Sequence, residues 1–235
     1  MKPTAVITGA NRGIGFALMK YLLQRGSHDI FAIVRNSAAA EQLQSEVATL
    51  SYHCRLEIKS ANLESEVEVA SLCHEIRTLE HCDLLINNAG IFEAGSLDRN
   101  EGDNSRLFAV NFTAAVKFMA AVAEQMKIRR AGNIINIGSS AGRKGLAGIG
   151  MYGATKYALV GFSESLMREL IGFDIKVTTI NPAFVDTDMT RGFTAMQDKV
   201  KIQVEDIVNS VRLILSLSKG AVIPHIDIAC GSVMD

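Results

Sequence analysis

The sequence predicts an α/β fold: a doubly wound, mostly parallel sheet of about seven strands with helices on both faces. Three observations carry this. Short apolar runs alternate with segments of helical period along the whole chain, the order expected of successive βαβ units. The strand runs are apolar throughout, as when helices cover both faces of a parallel sheet. The first run ends in a glycine-rich turn that opens a helix, the arrangement at the start of such sheets.

Taken in order, Thr4 to Thr8 forms the first strand. Ile14, Ala17, Leu18, Tyr21 and Leu22 then recur at helical spacing and mark one buried face. Gly26 stands where a helix-terminating glycine belongs. Strands follow at Ile30–Val34 and Cys54–Ile58, then a helical stripe of Val69, Leu72, Cys73, Ile76 and Leu79, then a strand at Asp83–Asn87. The second half repeats the scheme: helix Leu107–Met126, strand Ile134–Ile137, helix Tyr152–Ile171, strand Ile175–Ile180. A helix over Val204–Leu217 precedes a last strand, Ala221–Ile228. With only three prolines and no low-complexity stretch, no linker divides residues 1–235, and one domain is expected.

Composition narrows the function. The 24 basic and 25 acidic residues nearly cancel, leaving no electrostatic footprint for nucleic acid or an anionic membrane. No run of 18 apolar residues occurs, so no spanning segment is expected. Cys54, Cys73, Cys82 and Cys230 form no CxxC pair. They fit free thiols and small buried hydrophobes in a reducing cytoplasm better than a metal site or disulfide framework.

The turn Thr8-Gly9-Ala10-Asn11-Arg12-Gly13-Ile14-Gly15 suits a pyrophosphate. Gly9 permits the tight turn, Gly13 close backbone approach, and Gly15 tight helix–sheet packing. The anion would rest on the helix N-terminus. An acid near the end of the second strand would bind the adenosine ribose of NAD, but this strand ends Ile33-Val34-Arg35-Asn36. Arg35 offers a guanidinium fork for a 2′-phosphate, and Arg12 can reach the same group. A lone arginine is usually a solvated charge. Two here, with the acid missing, select NADP (as NADPH) over NAD.

Tyr152 and Lys156 open a helix one turn apart on one face. An ammonium about 5 Å from a tyrosine, at an effective dielectric of ~20, favours the phenolate by roughly 3 kcal/mol, about 2 pK units. An isolated YxxxK is more often a packed ring beside a solvated charge. Here Ser139 follows the strand Ile134–Ile137 at the ligand-binding edge of such a sheet, thirteen residues before Tyr152.

On Thr8 to Gly15, Asn87-Asn88-Ala89-Gly90, Asn111, Ser139, Tyr152, Lys156 and Pro182 to Thr187, in that order, the chain resembles the short-chain dehydrogenase/reductase family over essentially its whole length. The resemblance implies a Rossmann-type oxidoreductase. Tyr152 would be the general acid/base, Ser139 would bind the substrate oxygen, Lys156 would bind the nicotinamide ribose and lower the tyrosine pKa, and Asn111 would hold a water in a proton relay. It also implies that Asn88, Ala89 and Gly90 support the sheet beside the adenosine, that Asn62 and Leu63 flank the adenine, and that Val185 and Thr187, after Pro182, hold the carboxamide. The chain departs from the family in Asn62, where Asp is usual, and in Ala183, where Gly is usual. Asn still offers a carboxamide oxygen to an adenine amino group, and neither change removes a catalytic group.

Phe92, Met151, Phe184, Met189, Phe193 and Met196 follow strand ends and are expected to line a rather open, largely apolar pocket for a small carbonyl or alcohol substrate. A homodimer or homotetramer built from the long helices is the family expectation. Three alternatives are set below this reading. A β-ketoacyl carrier-protein reductase should show basic residues at the mouth, where Glu93 and Asp98 stand. A non-catalytic nucleotide sensor, or a methyltransferase, has no use for the serine, tyrosine and lysine.

Overall fold

All seven strands of the computed structural model join one sheet; residues 2–98, 101–191 and 201–231 are described. β1 (Thr4–Thr8), β2 (Asp29–Val34), β3 (Leu56–Ser60), β4 (Cys82–Asn87), β5 (Gly132–Ile137), β6 (Ile175–Pro182) and β7 (His225–Ile228) lie in the order β3-β2-β1-β4-β5-β6-β7. Every neighbouring pair is parallel. The chain winds outward from β1 to β3, then returns to β4 and winds the other way. The crevice this reversal leaves beyond the ends of β1 and β4 is where ligands bind in such sheets.

Side-chain alternation divides the core in two. Ala5, Ile7, Leu84, Ile86 and Ile135 pack under α1 (Gly13–Arg25), α2 (Ser37–Val47) and α7 (Val204–Ser216). Val6, Leu85, Ile134 and Val177 pack under α3 (Glu66–Thr78), α5 (Ala114–Arg129) and α6 (Gly150–Leu170). Two covered faces are why these strands read as unbroken apolar runs. Cys73, Cys82 and Cys230 are buried and Cys54 is half-buried, all as free thiols.

Several elements depart from the sequence reading; β5 starts at Gly132 rather than Ile134 and β6 runs to Pro182 rather than Ile180. β3 starts two residues later than Cys54, because the Arg55 N–H is taken by the Asp29 carboxylate (2.8 Å) and the ladder opens with Leu56 beside Ile30. It continues through Lys59 and Ser60, polar residues tolerated on an edge strand. β7 begins at His225 rather than Ala221, since Pro224 has no N–H to give a ladder. α2 was not anticipated: its Ala-rich sequence buries only Leu43 and Val47, and its start is fixed by Asn36, whose side chain accepts from the Ala39 N–H. The helix expected over Leu107–Met126 is longer and interrupted: α4 (Glu101–Phe108) passes through a π-helical turn, Ala109–Thr113, into α5. The run Asp103–Arg129 is long and apolar enough to cross a membrane, but half of its apolar stretch is buried in the fold.

Candidate active site

The crevice is a cleft of about 380 Å³ walled by the glycine turn, the end of β2, residues 61–64, Asn88 to Ile91, Tyr152, Lys156 and Thr187 to Met189. Gly9 (φ 67°) and Gly13 (φ 54°) both occupy the left-handed region that side chains disfavour. Gly15 is required for space: a Cβ there would fall 2.0 Å from the Gly9 carbonyl oxygen. α1 starts with no side-chain cap, so its N-terminal N–H groups are disposed toward an anion from the cleft. Asn88 fastens the floor. Its Nδ2 donates to the carbonyls of Thr8 (3.0 Å) and Gly9 (3.1 Å), while Thr8 Oγ1 accepts from the N–H groups of Asn88 and Ala89. The exits of β1 and β4 are thereby tied across the switch point, with Asn11, Ile14 and Gly90 beside them in the wall.

At the far end, Arg35 stands just beyond β2 with its guanidinium 3.8 Å from Glu64. Glu64 is held more closely by Arg106 of α4 (2.9 Å), whose other arm reaches Glu93 (3.0 Å). Sequence reasoning missed both Glu64 and Arg106, which belong to no motif. Arg12 lines the same cleft and pairs with Asp188 at 3.6 Å, near the loop that follows β6. Asn62 and Leu63 do line the cleft, but Asn62 Oδ1 already accepts from the Glu64 N–H (3.1 Å), closing a local turn.

At the near end, Tyr152 and Lys156 are buried within the first turns of α6. Lys156 Nζ donates to the Ile137 carbonyl (3.0 Å) and lies 5.8 Å from the centre of the Tyr152 ring. Ser139, just beyond β5, shares a hydrogen bond with Tyr152 and accepts one from the Ala141 N–H. Phe92 meets the Tyr152 ring edge-on at 5.0 Å. The expected lowering of the tyrosine pKa by Lys156 is not the governing effect. Burial pushes Tyr152 up, the Ser139 hydrogen bond opposing it, and full burial brings Lys156 down to about 8. Desolvation disfavours the charged form of each group.

Asn111 lies in the π-helical turn with 1% exposure. Its Oδ1 accepts from the Ile91 N–H (2.8 Å), and its Nδ2 donates to the Ile91 carbonyl (2.9 Å) and to Thr155 Oγ1 (3.1 Å). The side chain therefore clamps the segment after β4 to α6. Further along, Gly95 N–H donates to the Gly148 carbonyl and the Gly150 N–H to Ser96 Oγ, so two loops are joined beside Tyr152.

Not all the expected pocket residues face this cleft. Met189 and Thr187 line it, Phe92 flanks Tyr152, and Met151 is half-buried immediately before Tyr152. Phe184 packs instead against the core beneath α1 and α7, and Val185 is buried there as well, its carbonyl accepting from Thr190 Oγ1. Pro182 closes β6 in register with Ile228. Phe193 and Met196 lie outside the described residues.

Comparison with known proteins agrees with this geometry. Residues 3–198 match the family model for short chain dehydrogenases. Carbonyl reductase family member 4 of Xenopus tropicalis is 34% identical over 194 residues, 82% of this chain and 79% of that protein. The 3-oxoacyl-[acyl-carrier-protein] reductase FabG of Salmonella typhimurium is 33% identical, over 81% of this chain and 76% of its own. Among solved structures, a short-chain dehydrogenase from Sphingobium yanoikuyae in complex with NADPH superposes with a TM-score of 0.85 at 26% identity, covering 99% of this chain and 89% of that one. With the tyrosine, lysine and serine gathered at one end of a glycine-cradled cleft, and likeness over most of its length, the chain belongs to the short-chain dehydrogenase family and is an oxidoreductase.

Proposed function

We propose that the chain is an NADPH-dependent reductase of a small, largely apolar carbonyl compound. The observation that carries this reading is that Tyr152, hydrogen-bonded to Ser139, and Lys156 line one end of the cleft whose opposite end carries Arg35. The residues fit the cofactor: Gly9, Gly13 and Gly15 leave backbone room for a pyrophosphate over the uncapped start of α1. Arg35 would hold the 2′-phosphate, Leu63 and Asn62 the adenine, Lys156 the nicotinamide ribose and Thr187 the carboxamide. Asn11, Ile14, Ala89 and Gly90 complete the wall. Bound NADPH supplies the hydride for the carbonyl carbon. The relatives are named for reducing carbonyls, which supports the same direction.

The chain's own part is placement and proton management. Ser139 would donate to the substrate oxygen, and Tyr152, kept a neutral phenol by burial, would transfer its proton as charge develops there. The phenolate left behind faces Lys156, whose ammonium stabilises it. A water held at Asn111 would return protons to this pair. Because burial brings Lys156 to about 8, the reduction rate at saturating NADPH is expected to fall as pH rises through about 8. A profile that is level from pH 7 to 9 would remove Lys156 from the mechanism. The lysine also strains the fold: its folded pKa lies below the usual 10.5, so stability rises as pH climbs from about 8 toward 10.5. Lys156→Met should therefore raise Tm at pH 7.

Turnover is tested by following NADPH consumption against aldehydes, ketones, quinones and a 3-oxoacyl thioester. Preference for the thioester would favour the carrier-protein reductase reading, which the likeness to FabG supports. Glu93, an acid counted against that reading, is paired with Arg106 and so does not present a bare charge. Assembly into a homodimer or homotetramer through α5 and α6 belongs to the same proposal, since Val116 and Phe162 stay partly exposed and Tyr157 is exposed on those helices.

A further inference from the structure

We propose that Arg106 is a specificity-determining residue that favours NADPH over NADH by drawing Glu64 away from Arg35. The inference rests on the cleft being a dinucleotide site. Glu64 lines that cleft beside Arg35 and Asn36. One carboxylate oxygen, Oε1, is contested by two guanidinium groups: Arg106 Nε at 2.9 Å and Arg35 NH2 at 3.8 Å. Only the first is a hydrogen-bonding distance. Arg106 is itself anchored, because its NH1 arm is engaged by Glu93 at 3.0 Å, with Asp103 a further acid nearby.

An acid beside the adenosine ribose accepts hydrogen bonds from the two hydroxyls of NADH and repels the 2′-phosphate of NADPH. The end of β2 carries no such acid. Glu64, arriving from the loop after β3, brings one to the same place, and no reading of the second strand would reveal it. Held by Arg106, it leaves the Arg35 fork available for a phosphate. Released, it would turn to Arg35, neutralise the fork and present a carboxylate where the phosphate must sit. Arg106 thus acts through Glu64 without touching the cofactor.

Calorimetric titration of the full chain with NADPH and with NADH tests this in the wild type, R106M, E64Q and the double variant. R106M is expected to weaken NADPH by about five- to tenfold, the range of a lost charge-assisted phosphate contact, while NADH affinity holds or improves. Adding E64Q should return NADPH affinity close to the wild-type value. A purely structural role for Arg106 would weaken both dinucleotides together and would not be rescued by E64Q; either result overturns the proposal. Should R106M fail to fold, E64Q alone decides. It is expected to keep or tighten NADPH binding, and a clear loss contradicts the proposal. A wild type that binds neither dinucleotide refutes the cofactor reading itself, and this inference falls with it.

Discussion

Tyr152→Phe is expected to lower the turnover number by about 10²- to 10⁴-fold, the usual contribution of a positioned general acid, with NADPH affinity nearly unchanged. The substitution deletes one hydroxyl from a ring that is 9% exposed and held edge-on by Phe92. The ring keeps those contacts, so the helix start and the cleft wall stay in place. Ser139 loses a hydrogen-bond partner, a matter of about 1 kcal/mol, which is small beside the loss of the proton donor. Steady-state kinetics with the best carbonyl substrate, paired with an NADPH titration, separates the two effects. Activity above a tenth of wild type would show that the proton comes from another group.

Gly15→Ala is expected to have the largest structural effect of any single methyl addition in the cleft. The new Cβ would meet the Gly9 oxygen at 2.0 Å, Asn88 Nδ2 at 2.4 Å and the Gly9 carbonyl carbon at 2.8 Å. Two of these are backbone atoms of the turn, and the third belongs to the side chain that ties β1 to β4. None can swing aside, so α1 must lift from the sheet. Overpacking of this kind costs about 1–3 kcal/mol, which lowers Tm by about 2–12 °C in a chain of this size. NADPH affinity should fall by more than tenfold, because the displaced turn is the pyrophosphate cradle. Gly161→Ala is the control: nothing lies within 4 Å of a Cβ there, in the middle of α6, and helix propensity predicts a gain of about 1 kcal/mol. Equal melting temperatures for the two variants would contradict the packing argument.

The sheet was legible because its five inner strands, buried on both faces, are short apolar runs, and because a glycine turn follows the first of them; the edge strands β3 and β7 are only partly buried. The catalytic residues were legible because their chemistry coincides with strand and helix ends, Ser139 after β5 and Tyr152 at the start of α6. What escaped was of three kinds. Local pattern does not report tertiary packing, so nothing in it marks α2, with two buried side chains, or separates the π turn at Ala109–Thr113 from plain helix. Nor does it report side-chain direction after a strand ends. Phe184 and Val185 follow β6 as an apolar pair, yet they turn into the core under α1. The third kind is non-local: Glu64, Glu93 and Arg106 come from three separate segments, and only the fold makes them neighbours. The balance at Lys156 belongs there too. Its spacing from Tyr152 suggested a simple charge effect, whereas complete burial makes desolvation the larger influence on both groups.

The most direct test of the account is to supply NADPH deuterated at the transferable C4 position with the best carbonyl substrate and analyse the alcohol by mass spectrometry. The account predicts one deuterium on the former carbonyl carbon, at the rate of NADPH consumption, and no product from Tyr152→Phe on the same timescale. An alcohol without the label, or a wild-type protein that consumes no NADPH with any carbonyl supplied, would contradict it.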